Sequence, residues 1–177
     1  YKNTLSQHEL SSKLREIVEH HDLKFDETLF DSNGKIFDFI AVTRACRFKK
    51  ALDLLVYFTE YSVKYNSRCC YILLCPTGYD HQYFEEIQSY RNQNNCSLVT
   101  FICSTDIKPI QSNIYFGFAP EELAVFYQLS AVYMHACEME GESRTIHEAL
   151  CCGCKLLIKQ NMKGGGKDYV DSNNGML

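Results

Sequence analysis

The amino-acid sequence predicts a doubly wound α/β domain: a Rossmann-like parallel sheet covered by helices on both faces. Short apolar runs such as Phe37-Asp38-Phe39-Ile40-Ala41-Val42 and Tyr71-Ile72-Leu73-Leu74-Cys75 recur along the chain. They alternate with segments in which apolar residues follow the helical period, and turn residues sit between the two kinds of segment. Strands alternating with helices imply βαβ units, hence parallel pairing.

Residues 6–20 open with Ser6 as a candidate N-cap and Glu9 three positions on, a capping box, and then place Leu10, Leu14, Ile17 and Val18 on one face. Asp31-Ser32-Asn33-Gly34-Lys35 reads as a turn, and residues 37–42 as the first buried strand. A helix follows over residues 48–64 through Leu52, Leu55, Val56 and Phe58. Residues 71–75 form a second strand, closed by Pro76-Thr77-Gly78 and followed by a helix over 80–92; residues 98–103 form a third. Ile114-Tyr115-Phe116-Gly117-Phe118 reads as a short fourth strand, and Ala119-Pro120-Glu121-Glu122 starts a helix with Pro in its first turn. Residues 131–136 and 155–158 supply two more strands, with a helix carrying Glu148 between them.

Composition narrows the function classes. With 177 residues, 46% of them hydrophobic, the chain can bury one substantial core. A net charge of −4 argues against binding nucleic acid or an anionic membrane through bulk charge, which needs concentrated Lys and Arg. No apolar run approaches the roughly 20 residues that span a bilayer, and no signal peptide opens the sequence. Ten cysteines are many, but Cys69, Cys70, Cys75 and Cys103 fall in or beside apolar runs, where free thiols behave as small hydrophobes. That usage fits a reduced, cytosolic compartment. The Cys151-Cys152-Gly153-Cys154 segment has a C-x-x-C spacing but no second pair at zinc-site distance, and reads as a helix end. A start at Tyr1 and an end at Gly175-Met176-Leu177 with no closing helix suggest a piece of a longer polypeptide.

In open parallel sheets ligands bind beyond the carboxyl ends of the strands. The first such loop runs Thr43-Arg44-Ala45-Cys46-Arg47-Phe48-Lys49-Lys50, with Arg44 at the strand edge and Lys49 at the start of the next helix. An Arg fork and a Lys point charge placed there can neutralise a diphosphate. The second loop, after the apolar run Ala131-Val132-Tyr133-Met134, is Glu140-Gly141-Glu142-Ser143-Arg144-Thr145 leading to Glu148. Free amides of Ser143, Arg144 and Thr145 at the helix start suit phosphate oxygens. Glu140 can accept bonds from sugar hydroxyls and Glu148 from a ribose, so the groups together fit a nucleotide-sugar. His135 and His147 invite a catalytic reading, although His147 reads better as a packed or surface helix residue.

The stretch from Ser130 to Leu177, with its paired glutamates Glu140 and Glu148, resembles the C-terminal donor domain of retaining GT-B glycosyltransferases of the "glycosyltransferases group 1" type. Phe39-Ile40-Ala41-Val42-Thr43-Arg44 with Lys49 is similar to that family's first-strand motif. Ile114 to Phe118, followed by Glu122-Leu123 and Tyr127, looks like its middle motif. The match covers residues 37 to the end, in the right order and spacing. Residues 1–34 stand apart as an unassigned helix and linker, and 35–177 as the nucleotide-sugar-binding domain.

The resemblance implies that Arg44 and Lys49 hold the donor diphosphate, Glu140 the transferred hexose and Glu148 the nucleoside ribose. Gly141, Glu142, Ser143, Arg144 and Thr145 would line the donor, and the loop around Phe118 would border the base. It implies no cofactor and no metal, because cations and helix amides stabilise the leaving nucleoside diphosphate. The other partners implied are an N-terminal acceptor domain of the same chain and a glycan or lipid-linked acceptor, with any membrane association carried by the other half. Family members usually have Gly where Thr43 stands, often Gly at Lys50, and commonly an apolar residue at Glu142. Thr43 crowds the phosphate turn and Glu142 adds negative charge, both acting against donor affinity. The Gly164-Gly165-Gly166 run is similar to a family Gly-Gly turn, with Asp168 nearest its usual acidic residue. Two other readings compete: a degenerate domain of this fold serving as a scaffold, and a cysteine-ligated metal or redox protein.

Overall fold

Strand β1 (Phe37–Arg44) lies inside a six-stranded, all-parallel sheet with β2 (Cys69–Leu74) on one side and β4 (Ser130–His135) on the other. Beyond β2 lies β3 (Val99–Cys103), and beyond β4 lie β5 (Lys155–Ile158) and β6 (Gly175–Met176), giving the order 3-2-1-4-5-6. The order reverses between β1 and β4, so the crevice of the doubly wound fold opens at their carboxyl ends. This computed structural model describes residues 5–32, 34–76, 78–107 and 117–176.

Alternation along the strands divides the core. Ile40, Val42, Cys70, Ile72 and Tyr133 point to one face, where they meet α1 (Gln7–His21), α4 (Pro120–Gln128) and α5 (Arg144–Cys151). Ala41, Cys69, Tyr71 and Leu73 point to the other, against α2 (Ala51–Tyr65) and α3 (His81–Gln93). Burying each such aliphatic or aromatic side chain contributes roughly 1.5–3 kcal/mol before the entropy of ordering is counted.

The first helix forms as expected. Ser6 Oγ accepts from the Glu9 amide, and the Glu9 carboxylate accepts from the Ser6 amide at 2.8 Å. Leu10, Leu14 and Ile17 enter the same core as β1, and buried His21 places Nε2 3.0 Å from Glu122 Oε1 on α4. Helix α1 is thereby packed on the sheet domain.

The helix expected from residue 48 begins at Ala51. Residues Arg47–Lys49 make a 3-10 turn instead, and Lys50 takes a left-handed conformation (φ 55°) that separates turn from helix. The resemblance puts Gly at this position, and the backbone here is one that Gly adopts without strain. Of the strand expected at 114–118, residues 114–116 lie outside the described residues, while Gly117 and Phe118 are not in a strand. All ten cysteines are free thiols. Cys151 is exposed at the end of α5, whereas Cys154 is buried and donates to the Tyr127 carbonyl at 3.1 Å, so the C-x-x-C segment is a packed helix end. Among the described residues no helix is long and apolar enough to cross a membrane.

Candidate functional site

A cavity of about 360 Å³ opens at the β1/β4 crevice, and both loops singled out from the sequence contribute to it. Arg44, the last residue of β1, and Lys49, from the 3-10 turn, enter from one side. Glu140, Glu142, Ser143, Arg144, Thr145 and Glu148 enter from the loop after β4 and the first turns of α5. Gly141 is not in the wall; its carbonyl instead accepts from the Gly165 amide at 3.1 Å. The floor is apolar, from Val42, Leu74, Pro120 and Leu123.

Lys49 and Glu140, expected to hold different parts of a ligand, are joined in an ion pair with each other. His135, the last residue of β4, stands behind, with Nε2 3.5 Å from the same Glu140 oxygen. The protonatable His135 ring first, and then the Lys49 ammonium, hold the Glu140 carboxyl down at about 2, against partial burial that acts to raise it. His135, which invites a catalytic reading in the sequence, stands here as the neighbour of Glu140. The available signal was its position, a polar residue closing an apolar run at the carboxyl end of a strand.

The loop that carries Glu140 is held from below by the glycine run. The Glu140 amide donates to the Lys163 carbonyl at 2.8 Å, and the Lys163 amide to the Glu138 carbonyl at 2.9 Å. Gly164 has φ 104°, and a Cβ built there would fall 1.8 Å from the Glu140 carbonyl oxygen. Only glycine permits this approach. The role of the Gly164 turn is thus to seat the Glu140 backbone.

Helix α5 begins at Ser143, whose hydroxyl caps it by accepting from the Ile146 amide at 3.4 Å. The first amides of the helix have no partner within it, and Arg144 and Thr145, which carry two of them, line the cavity. Beneath them, Tyr133 Oη donates to Thr145 Oγ1 at 2.7 Å, and Thr145 Oγ1 lies 3.0 Å from Ser143 Oγ. This part-buried hydroxyl network ties β4 to the start of α5, and nothing in the sequence signals it. Glu148, one turn further, is three-quarters buried, and burial raises its carboxyl above the ordinary value; Arg144, 3.5 Å away and largely exposed, opposes this. His147 is not in the wall: its ring packs edge-on to Tyr169 at 4.2 Å.

One expectation changes in detail. Phe118 reaches the cavity wall, but its ring is 2% exposed and packed edge-to-face against His21 and Phe126. It therefore backs the wall rather than offering a face to a base. Thr43 also lines the cavity and is nearly buried, and Glu142 brings in a second carboxylate.

No protein-family model matches the sequence, and a search of curated proteins returns no match. Solved structures do match. The C-terminal domain of a glycosyl transferase group 1 family protein (LpcC) from Francisella tularensis superposes with a TM-score of 0.58 at 18% identity, over 80% of this chain and 67% of that one. A glycosyltransferase from Rickettsia africae gives 0.58 at 14%, over 96% of this chain and 39% of that one. A pneumococcal O-GlcNAc transferase, GtfA, solved with UDP and GlcNAc, gives 0.56 at 20%, over 83% and 25%. The chain thus spans a quarter to two-fifths of the two longer structures. At these identities the likeness is one of fold: this chain has the doubly wound, Rossmann-like fold found in glycosyltransferase domains.

Proposed function

We propose that this domain is the donor-binding half of a retaining GT-B glycosyltransferase, which binds a nucleoside diphosphate sugar and presents its hexose to a glycan or lipid-linked hydroxyl held by another domain. The observation that carries this reading is the meeting of Arg44, Lys49, Glu140, Glu148 and the α5 N-terminus in one cavity.

The parts divide the donor between them. The diphosphate lies against the first amides of α5, with Arg44 and Lys49 supplying positive charge. Glu148 accepts from the ribose hydroxyls, which release its desolvated carboxylate from an unfavourable setting. Glu140 accepts from the hexose. An incoming diphosphate competes for Lys49, and as Lys49 turns to phosphate the Glu140 oxygens become available to the sugar.

In transfer, the bond from the sugar's anomeric carbon to diphosphate oxygen breaks, and a new one to the acceptor oxygen forms on the same face. The acceptor proton passes to the departing diphosphate. Negative charge grows on that leaving group, so groups fixed around it favour the transition state over the ground state. Arg44, Lys49 and the helix amides are such groups. The domain alone should bind donor and turn over little.

Calorimetric titration with UDP-, GDP- and ADP-sugars tests the reading. A folded protein that binds none of them would overturn it. The scaffold reading draws on Glu142, whose carboxylate in the wall opposes a diphosphate. Glu148→Ala in the full-length protein separates the two, since a catalyst loses nearly all transfer and a scaffold keeps its biological role.

A further inference from the structure

We propose that His135, Cys137 and Glu140 form a three-ligand site for a divalent transition metal, with zinc the ion of best chemical fit. The end of β4 and the loop after it bring a ring nitrogen, a thiol sulfur and a carboxylate oxygen within 4.8 Å of one another, with His135 and Cys137 buried and Glu140 half-buried.

The His135 ring decides the matter. Its Nδ1 lies 3.1 Å from Tyr133 Oη. The tyrosine has one hydrogen and gives it to Thr145 Oγ1 at 2.7 Å, so its oxygen accepts and the ring hydrogen resides on Nδ1. Nε2 of the neutral ring is then a lone-pair donor. That nitrogen belongs to a side chain only 7% exposed, has no hydrogen-bond partner at bonding distance among the described residues, and stands 3.5 Å from Glu140 Oε2, the oxygen that also takes the Lys49 ammonium. Lys49 compensates the carboxylate, but the buried His135 lone pair beside it stays uncompensated until a cation reaches it. A proton would satisfy those two groups, but the Cys137 thiol beside them adds a third ligand for which a proton has no use.

The donor set selects the ion. Imidazole, thiolate and carboxylate together suit zinc, and three protein ligands leave a fourth position toward the cavity that His135 and Glu140 line. Zinc bonds of about 2.0–2.3 Å ask the ligand atoms to close by about 1 Å. Cys137, which donates to the Met139 carbonyl at 2.9 Å, would release that bond and lose its proton to buffer. Tyr133 would act one shell out, fixing the ring by accepting from Nδ1. Zinc would engage Glu140, the partner of Lys49, and so would compete with the use of that carboxylate for a sugar. The site itself does not depend on the donor reading.

The test is a zinc titration of the chain under reducing conditions, with no nucleotide present, against a competing chromophoric chelator. Cobalt substitution gives a second readout through the thiolate-to-cobalt charge-transfer band. One zinc per chain is expected. Cys137→Ser should remove the charge-transfer band and weaken binding by at least about tenfold, as should His135→Gln. Tyr133→Phe, which keeps every ligand, should cost about tenfold. Cys151→Ser should change nothing. Absence of zinc binding, zinc held undiminished by Cys137→Ser, or zinc lost in Cys151→Ser each overturns the site. If His135→Gln fails to fold, the cobalt spectrum of Cys137→Ser decides.

Discussion

Lys49 and Glu140, 91 residues apart in the chain, close on each other as an ion pair at the mouth of the β1/β4 crevice. Both are largely shielded from solvent, 13% and 16% exposed, so the pair is screened less than a surface one. Lys49 is therefore primed to trade the Glu140 carboxylate for a phosphate, which leaves the Glu140 oxygens to neutral sugar hydroxyls. Glu140→Gln should tighten the binding of a plain nucleoside diphosphate, because Lys49 is released, and loosen the sugar-dependent part of donor binding. Lys49→Met should weaken the diphosphate by roughly tenfold or more, the scale of one hydrogen bond to a charged group. Paired titrations of a nucleoside diphosphate and its sugar conjugate read both effects. Equal changes for the two ligands would refute the division of roles.

Glu148 gives a pH prediction. Burial raises its carboxyl, so its ionised form is less stable in the folded protein than in the unfolded chain. The penalty is absent below the unfolded value of about 4.3 and fully present above the raised folded one, and stability from this residue falls as pH climbs between them. Glu148→Gln should thus melt higher than the parent at neutral pH, with the gap closing toward about pH 4. The same variant should bind nucleotide less well. Thermal melts across this pH range provide the check, and a gap that widens on acidification would contradict the argument.

Gly164 supports Glu140 without touching the cavity. A methyl group there collides with the Glu140 carbonyl and forces a left-handed backbone onto alanine. Gly164→Ala should destabilise the domain by about 2–4 kcal/mol in denaturant melts and reduce donor affinity. Gly141→Ala, where a Cβ meets nothing within 4 Å, should be much milder.

Lys50 sits in the left-handed region at φ 55°. Lys50→Gly should raise stability by up to about 1 kcal/mol, since a side chain in this conformation costs about 1–2 kcal/mol and some of the gain is returned to the unfolded chain. The exposed Lys50 pair with Glu138 at 2.9 Å subtracts little. Lys50→Ala, which keeps the strain and loses the pair, should not stabilise. Chemical denaturation of the two variants settles the comparison.

Much of this molecule is legible in the sequence because local rules act locally. The Ser6 and Glu9 spacing is a local helix-start signature, and the short apolar runs around Ile40, Ile72 and Met134, bounded by turn residues and rich in β-branched and aromatic side chains, favour buried strands. Those runs and caps fix an alternating α/β chain, and with it the expectation that Arg44, Lys49, Glu140 and Glu148 gather beyond the carboxyl ends of the strands. Boundaries were less legible: no residue type at Lys50 signals a left-handed break, because strain in one residue is tolerated only when its surroundings hold it there. What the tertiary structure alone decided is who faces whom. Burial removed water from around Glu140, so its choice of Lys49 and His135 as neighbours became an energetic matter of a few ångströms, and the contact of Gly164 with its backbone became obligatory. Such pairings depend on distances across β1, β4 and the loop at residue 164, which adjacent residues in the chain do not encode.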